Sequence, residues 1–139
     1  METKVESKIG KIAASSEKVY NFLSNFNNYT KLIPPDRVKN WQAGEDFCRF
    51  TFEGMGETGL KIIEKEPFSI IKITGEEGSK FEFFIWIQLK EISSNDTRIK
   101  LTIKAELNPI LKMAVSKPLH TFVDSLVDQI EKLPFSQLI

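Results

Sequence analysis

Residues 108–133 read NPILKMAVSKPLHTFVDSLVDQIEKL, and the rest of the chain is arranged around them. After Pro118 the apolar positions are Leu119, Phe122, Val123, Leu126, Val127, Ile130 and Leu133. Their three-then-four spacing makes one continuous stripe along a helix, and a stripe of that kind needs a dry surface to lie on. Residues 109–115 behave differently, because Ile110, Leu111, Met113, Ala114 and Val115 are interrupted only by Lys112. Apolar nearly all round, this part has more to bury than one flat sheet can cover. A cavity for an apolar small molecule would give it a use.

The surface under the helix is visible just upstream. In the segment from Thr97 to Leu107, Ile99, Leu101, Ile103, Ala105 and Leu107 share one parity, while Arg98, Lys100, Thr102, Lys104 and Glu106 share the other. That alternation predicts a strand with one dry and one wet face. Five further strands precede it, at Val38 to Ala43, Phe47 to Gly54, Thr58 to Lys65, Ser69 to Thr74 and Lys80 to Ile92, separated by short Gly-, Pro-, Asn- and Ser-bearing turns. Neighbours this close in the chain pair antiparallel. Gly54, Gly56 and Gly59 mark bulges or bends, so the sheet is expected to curve. The start alternates as one half-buried strand from Thr3 to Lys11, with Val5 and Ile9 facing in. Ser15 or Ser16 then caps a helix carrying Val19, Tyr20, Phe22, Leu23 and Phe26, and a second short helical piece follows through Tyr29, Leu32 and Ile33 before Pro34-Pro35 stops it.

Strands of about a dozen residues span roughly 40 Å, and the last helix spans roughly 38 Å. The expected fold is therefore α+β: a curved antiparallel sheet wrapped around a long C-terminal helix, with two short helices after the first strand. The whole of 1–139 is read as a single domain.

Composition removes several functions. Nineteen Lys and Arg balance nineteen Asp and Glu, with no basic cluster, so nucleic acid is not an expected partner. One cysteine, Cys48, and one histidine, His120, build neither a disulfide nor a structural zinc site, and no metal or cofactor is expected. The opening METKVESK has no apolar signal-like region, and the longest apolar run, Phe83 to Ile87, is far short of a bilayer span. The expectation is a cytoplasmic protein with no stable membrane insertion, monomeric or weakly homodimeric. GMGETG is followed by strand and by no suitably placed lysine, and is not a phosphate loop.

The order of elements, together with IAASSEKVYNFLSNFNNYTKLIP (12–34), FEGMGETGLKI (52–62) and NPILKMAVSKPLHTFVDSLVDQI (108–130), resembles the START-like helix-grip superfamily (SRPBCC), and within it small bacterial members. That group includes birch-pollen-allergen-like proteins, polyketide cyclases and dehydrases, and ubiquinone-binding proteins. The likeness covers essentially the whole chain but carries no catalytic signature. It implies a deep cavity between helix and sheet for lipids, isoprenoids, polyketides or other apolar molecules, and no particular ligand.

On that reading the cavity is lined by Cys48, Phe50, Phe52, Leu60, Ile62, Ile71, Ile73, Phe83, Ile85, Ile87, Ile99, Leu101 and Ile103, and closed by Met113, Ala114 and Val127. A gate is expected where residues 109–117, with Ile110, Met113 and Lys117, face Tyr29, Leu32, Ile33 and the hairpin around Met55. Pro118 lacks the N–H that would bond Ala114, so the helix should loosen there and divide into a mobile start and an anchored remainder.

Catalytic candidates are few. His120, with Asp124 one turn on, is the one weak acid/base candidate, and an ordinary boundary histidine paired with that carboxylate is the competing account. Asp124 and Asp128 lie on the polar side of the stripe and read as a solvated face. Cys48 reads as a buried inert thiol. Trp41 is a candidate for stacking on an aromatic ligand, and Trp86, on the outer face beside Phe84, for an oligomer contact. The expected function is binding, carrying or sequestering a hydrophobic small molecule. A polyketide cyclase- or dehydrase-like enzyme, and a protein-interaction module using the apolar start of the last helix, remain as alternatives.

Overall fold

A computed structural model describes residues 2–33, 35–52, 56–77 and 82–135. In chain order the elements are β1 (Glu2–Glu6), β2 (Gly10–Ile12), α1 (Ser16–Leu23), a 3-10 helix (Phe26–Lys31), β3 (Val38–Ala43), β4 (Phe47–Phe52), β5 (Gly56–Glu66), β6 (Ile70–Gly75), β7 (Phe83–Ser93), β8 (Asp96–Glu106) and α2 (Pro109–Glu131). The strands of the described residues form one antiparallel sheet in the order β1-β8-β7-β6-β5-β4-β3, with β2 also on β8. α2 lies on its concave side, beginning at Asn108, whose side chain caps the Leu111 N–H at 2.8 Å, followed by Pro109 in the first turn. α2 runs through Pro118 as a single helix. None of the helices among the described residues is long and apolar enough to cross a membrane.

β8 lies between β7 and the β1/β2 edge of the sheet. Thr97, Ile99, Leu101, Ile103 and Ala105 are buried on its inner face, while Lys100 reaches out to Glu6 at 2.6 Å.

The first strand departs from the expectation of one continuous element. Val5 pairs with Ile103 but Gly10 pairs with Ile99, so residues 7–9 oppose only 100 and 101. One extra residue in a period-two element exchanges its faces. Val5 is buried before the bulge and Ile12 after it, and Ile9, expected inside, is 67% exposed. Ser7 supports the irregular backbone: its N–H donates to the Leu101 carbonyl and its Oγ accepts from the Leu101 N–H, each at 2.8 Å.

The polar side of α2 secures the same bulge from above. Asp124 accepts the Lys8 N–H at 2.7 Å, Asp128 pairs with the Lys8 ammonium, and Glu131 accepts the Lys11 N–H at 2.8 Å. Asp124 thus anchors unpaired strand backbone and Asp128 the Lys8 side chain beside it, a correction to their reading as a merely solvated face. Sequence spacing gave no sign of it, since the partners lie more than a hundred residues away.

Curvature comes from further one-residue slips, between Ile62 and Glu64 on β5 and between Glu91 and Ser93 on β7. At the outer strand β3, the register shifts between Lys39 and Gln42, and Asn40 there takes a left-handed conformation with φ 57°.

Candidate functional site: an apolar double cavity under the last helix

The contact line of α2 is Val115, Leu119, Val123, Val127 and Ile130, all buried. On its flank stand Phe122 and Leu126, half-buried and packed against the core. Beneath this flank the sheet does not fill the space. Two cavities remain, of about 70 and about 60 Å³, and the side chains lining them are nearly all apolar.

The first is roofed by Phe122, Val123, Leu126 and Ile130, and closed at the side by Phe26, Tyr29, Leu32 and Ile33 from the 3-10 helix and the turn after it. Its floor is Val38 and Trp41 of β3, Cys48 and Phe50 of β4, Leu60, Ile73, Ile85, Ile87, Leu101 and Ile103. The second lies toward the start of the helix, under Leu119 and Phe122 and over Phe50, Phe52, Thr58, Leu60, Phe83, Ile85, Ile103 and Ala105.

Aromatic rings organise the walls. Tyr29 lies nearly parallel to Trp41 with ring centres 6.5 Å apart, and Trp41 leans on Phe50 at 5.7 Å. Tyr29 is fixed there because its hydroxyl donates to the Leu23 carbonyl at 2.7 Å. Phe122 meets Phe52 edge to face, 5.1 Å between centres, a favoured geometry for ring quadrupoles.

Of the residues expected to line a cavity, Cys48, Phe50, Phe52, Leu60, Ile73, Phe83, Ile85, Ile87, Leu101 and Ile103 stand in these walls. Ile71, Ile99 and Val127 are buried in the surrounding core, and Ile62 packs against it half-buried. Tyr29, Leu32 and Ile33, expected at a gate, form the side wall of the first cavity. Met55 lies outside the described residues.

The start of the helix requires a correction. Ile110 and Met113 are 82% and 85% exposed, and Ala114 and Lys117 are exposed too, so none of them closes either cavity. Helical phase explains it. At about 100° per residue, continuing the line of Val115, Leu119 and Val123 backwards puts Ile110, Met113, Ala114 and Lys117 on the far side. Apolar composition does not bury this segment, because the stripe's phase carried back through Pro118 turns it outward. Phe26, Val38, Leu126 and Phe122, conversely, are wall residues outside the expected lining, because they come from helices and an outer strand that strand parity does not reach. Phe122 and Leu126 belong to the stripe, and it is the flank of the stripe, not its centre, that faces the gap.

Titratable chemistry is sparse here. His120 lies outside both cavities, its side chain 58% exposed and its Nδ1 3.5 Å from the Asp124 carboxylate. The titratable groups in the walls are Tyr29 and Cys48. Burial pushes the Tyr29 phenol far above its usual range, and burial, with the negative Glu76 nearby, pushes the Cys48 thiol up to about 12 from 9.0. Both stay protonated and unreactive near neutral pH. Among the described residues no three His, Cys, Asp or Glu gather as a metal site.

The raised thiol makes a prediction about alkaline stability. A group whose folded pKa exceeds its unfolded one lends stability that is complete below the unfolded value and disappears as pH rises toward the folded value. The melting temperature should therefore fall between about pH 9 and pH 12, and Cys48→Ala should flatten part of that slope, Tyr29 supplying the rest. In the native protein near pH 8 Cys48 should be silent to a thiol reagent, reacting fully on denaturation. Rapid native labelling would show that the wall opens to water.

Compared with family models and with curated proteins, the sequence has no match. Solved structures do match. Norcoclaurine synthase of Thalictrum flavum, as a point mutant in complex with a transition state analogue, superposes with a TM-score of 0.77 at 16% identity, over 100% of this chain and 98% of that one. The same enzyme in complex with dopamine and hydroxybenzaldehyde gives 0.75 at 16% identity, over 99% and 88%. A START superfamily protein of Mycobacterium smegmatis gives 0.67 at 16% identity, over 93% and 97%. The curved sheet gripping a terminal helix is the START-like helix-grip fold.

Proposed function

We propose that this protein binds, carries or sequesters a hydrophobic small molecule between the sheet and α2. The observation that carries the reading is the pair of cavities under the helix, walled by apolar side chains where a core of the same residues would otherwise have closed. Water gains no hydrogen bonds in such a space, whereas an apolar occupant recovers dispersion contacts and leaves water itself. The fold supports it, since START-like proteins commonly hold hydrophobic ligands, and the similar plant enzyme has been solved with two small aromatic molecules.

A cyclase or dehydrase needs an acid or base that reaches the reacting atoms. The described walls offer only a high-pKa phenol and thiol, and His120→Ala should leave ligand binding intact. The interaction-module reading is favoured by one observation, the exposure of Ile110 and Met113. If that patch makes self-contacts, Ile110→Ser with Met113→Ser should abolish any concentration dependence of the sedimentation coefficient.

Mass spectrometry of small molecules extracted from natively purified protein tests the main reading. An apolar compound near one per chain is expected. Empty protein that also fails to take up any apolar probe would overturn it.

A further inference from the structure

We infer that the two cavities are halves of one ligand site divided by the Phe122 ring, and that its occupant is an elongated, hydrocarbon-like molecule with a bulky group at each end. The inference rests on the cavity reading above and adds the shape and class of the ligand and the residue that selects it.

Phe50, Leu60, Ile85, Ile103 and Phe122 face both cavities. The first four belong to the sheet and make a continuous floor. Phe122 alone among them comes down from the helix, and it is held across the gap by its edge-to-face contact with Phe52. It is the partition.

Size gives the partition a purpose. An apolar cavity of roughly 150 Å³ suffices for benzene, whereas the two lobes measure about 70 and about 60 Å³. Each lobe alone is smaller than that. With Phe122 turned aside, the lobes join and gain the volume the ring itself occupied. Phe122 can turn without dismantling the core, since it is half-buried on the flank of α2 while the contact line of Val115, Leu119, Val123, Val127 and Ile130 stays in place.

The walls define the chemistry of what enters. Tyr29 already donates to Leu23, and the Thr58 hydroxyl donates to the Gly56 carbonyl at 3.3 Å. A polar group in the enclosed part of a ligand would lose its water with little in return. The enclosed part is therefore hydrocarbon, and the Trp41 and Phe50 rings favour an unsaturated or aromatic end in the first lobe.

The test uses 1,6-diphenylhexatriene, a rod with a phenyl group at each end that fluoresces when bound in an apolar site, titrated into wild type, Phe122→Ala and Phe122→Leu. Benzene binding by the same proteins is followed by ligand-observed NMR, and thermal melts establish that each is folded; Phe122→Leu serves if the alanine variant is not. The expected result is one rod per chain, at least tenfold tighter in the variants than in wild type, with energy transfer from Trp41 to the bound probe. Equal affinity for the rod in wild type and the folded variants would overturn the partition. Benzene binding in a variant without rod binding would overturn the single site. Failure of every protein to bind either probe would bring down the cavity reading itself, and this inference with it.

Discussion

Leu101→Asp is expected to give no cooperatively folded protein, while Lys100→Asp, one residue away, melts within a few degrees of wild type. Leu101 is 3% exposed, faces the first cavity, and sits opposite Ile87 on β7. Its backbone also receives the bulge between β1 and β2 through Ser7. A carboxylate there would have no partner in an apolar wall, and an uncompensated buried charge costs several kcal/mol against a whole stability of about 5–15 kcal/mol. Ile99→Asp should behave the same way, buried on the same face. Lys100 points outward to Glu6, and an exposed pair of this kind contributes little. Circular dichroism melts of the three variants check it, and comparable damage from Lys100→Asp would mean that the two faces of β8 are wrongly assigned.

Gly10→Ala is expected to lower the melting temperature by roughly 5–10 °C, the effect of about 1–3 kcal/mol of overpacking. A Cβ at Gly10 would stand 2.5 Å from Val127 Cγ1 and 2.9 Å from Ile99 Cγ2. Neither neighbour has room to withdraw, since Val127 and Ile99 are fully enclosed. At Gly10 α2 packs close against the strand backbone, and the missing side chain makes room for it. Val127→Ala removes the nearer clashing atom, so in the double variant it should cost less than it does alone, a non-additivity that a thermodynamic cycle measures. Strict additivity would place the strain elsewhere.

What could be read in the sequence follows the range of the forces involved. β3, β4, β6 and β8 were legible because alternation and turn chemistry are local, and α2 because its stripe repeats over several turns. Ser15 and Asn108 cap their helices as their residue types foretell. The bulge at Ser7 to Ile9 was not legible. A single extra residue leaves alternation intact on either side, and its cause, the pairing with Leu101 and the carboxylates of α2, is remote in the chain. Which residues of β4, β7 and β8 face inward followed from parity; that inward residues should border a cavity and not simply fill a core was implied by the resemblance alone. The partition at Phe122 required knowing which flank of the helix hangs over the gap, a matter of helix rotation that composition does not encode. Ile110 and Met113 illustrate the reverse hazard: being apolar does not make a residue buried when the helix presents it to the far side.

The irregular outer strand has a consequence for behaviour at high concentration. A sheet that is open at β3 carries along that side a row of amides and carbonyls on which a foreign strand could crystallise, one molecule templating the next into fibres. The surplus residue between Lys39 and Gln42 and the left-handed turn of Asn40 throw that row out of step in the middle of the strand. An incoming strand would find its donors facing donors, and Lys39 and Asn40 at the surface keep the site wet. The same kink that finishes the wall near Trp41 therefore also makes β3 a poor template for a foreign strand.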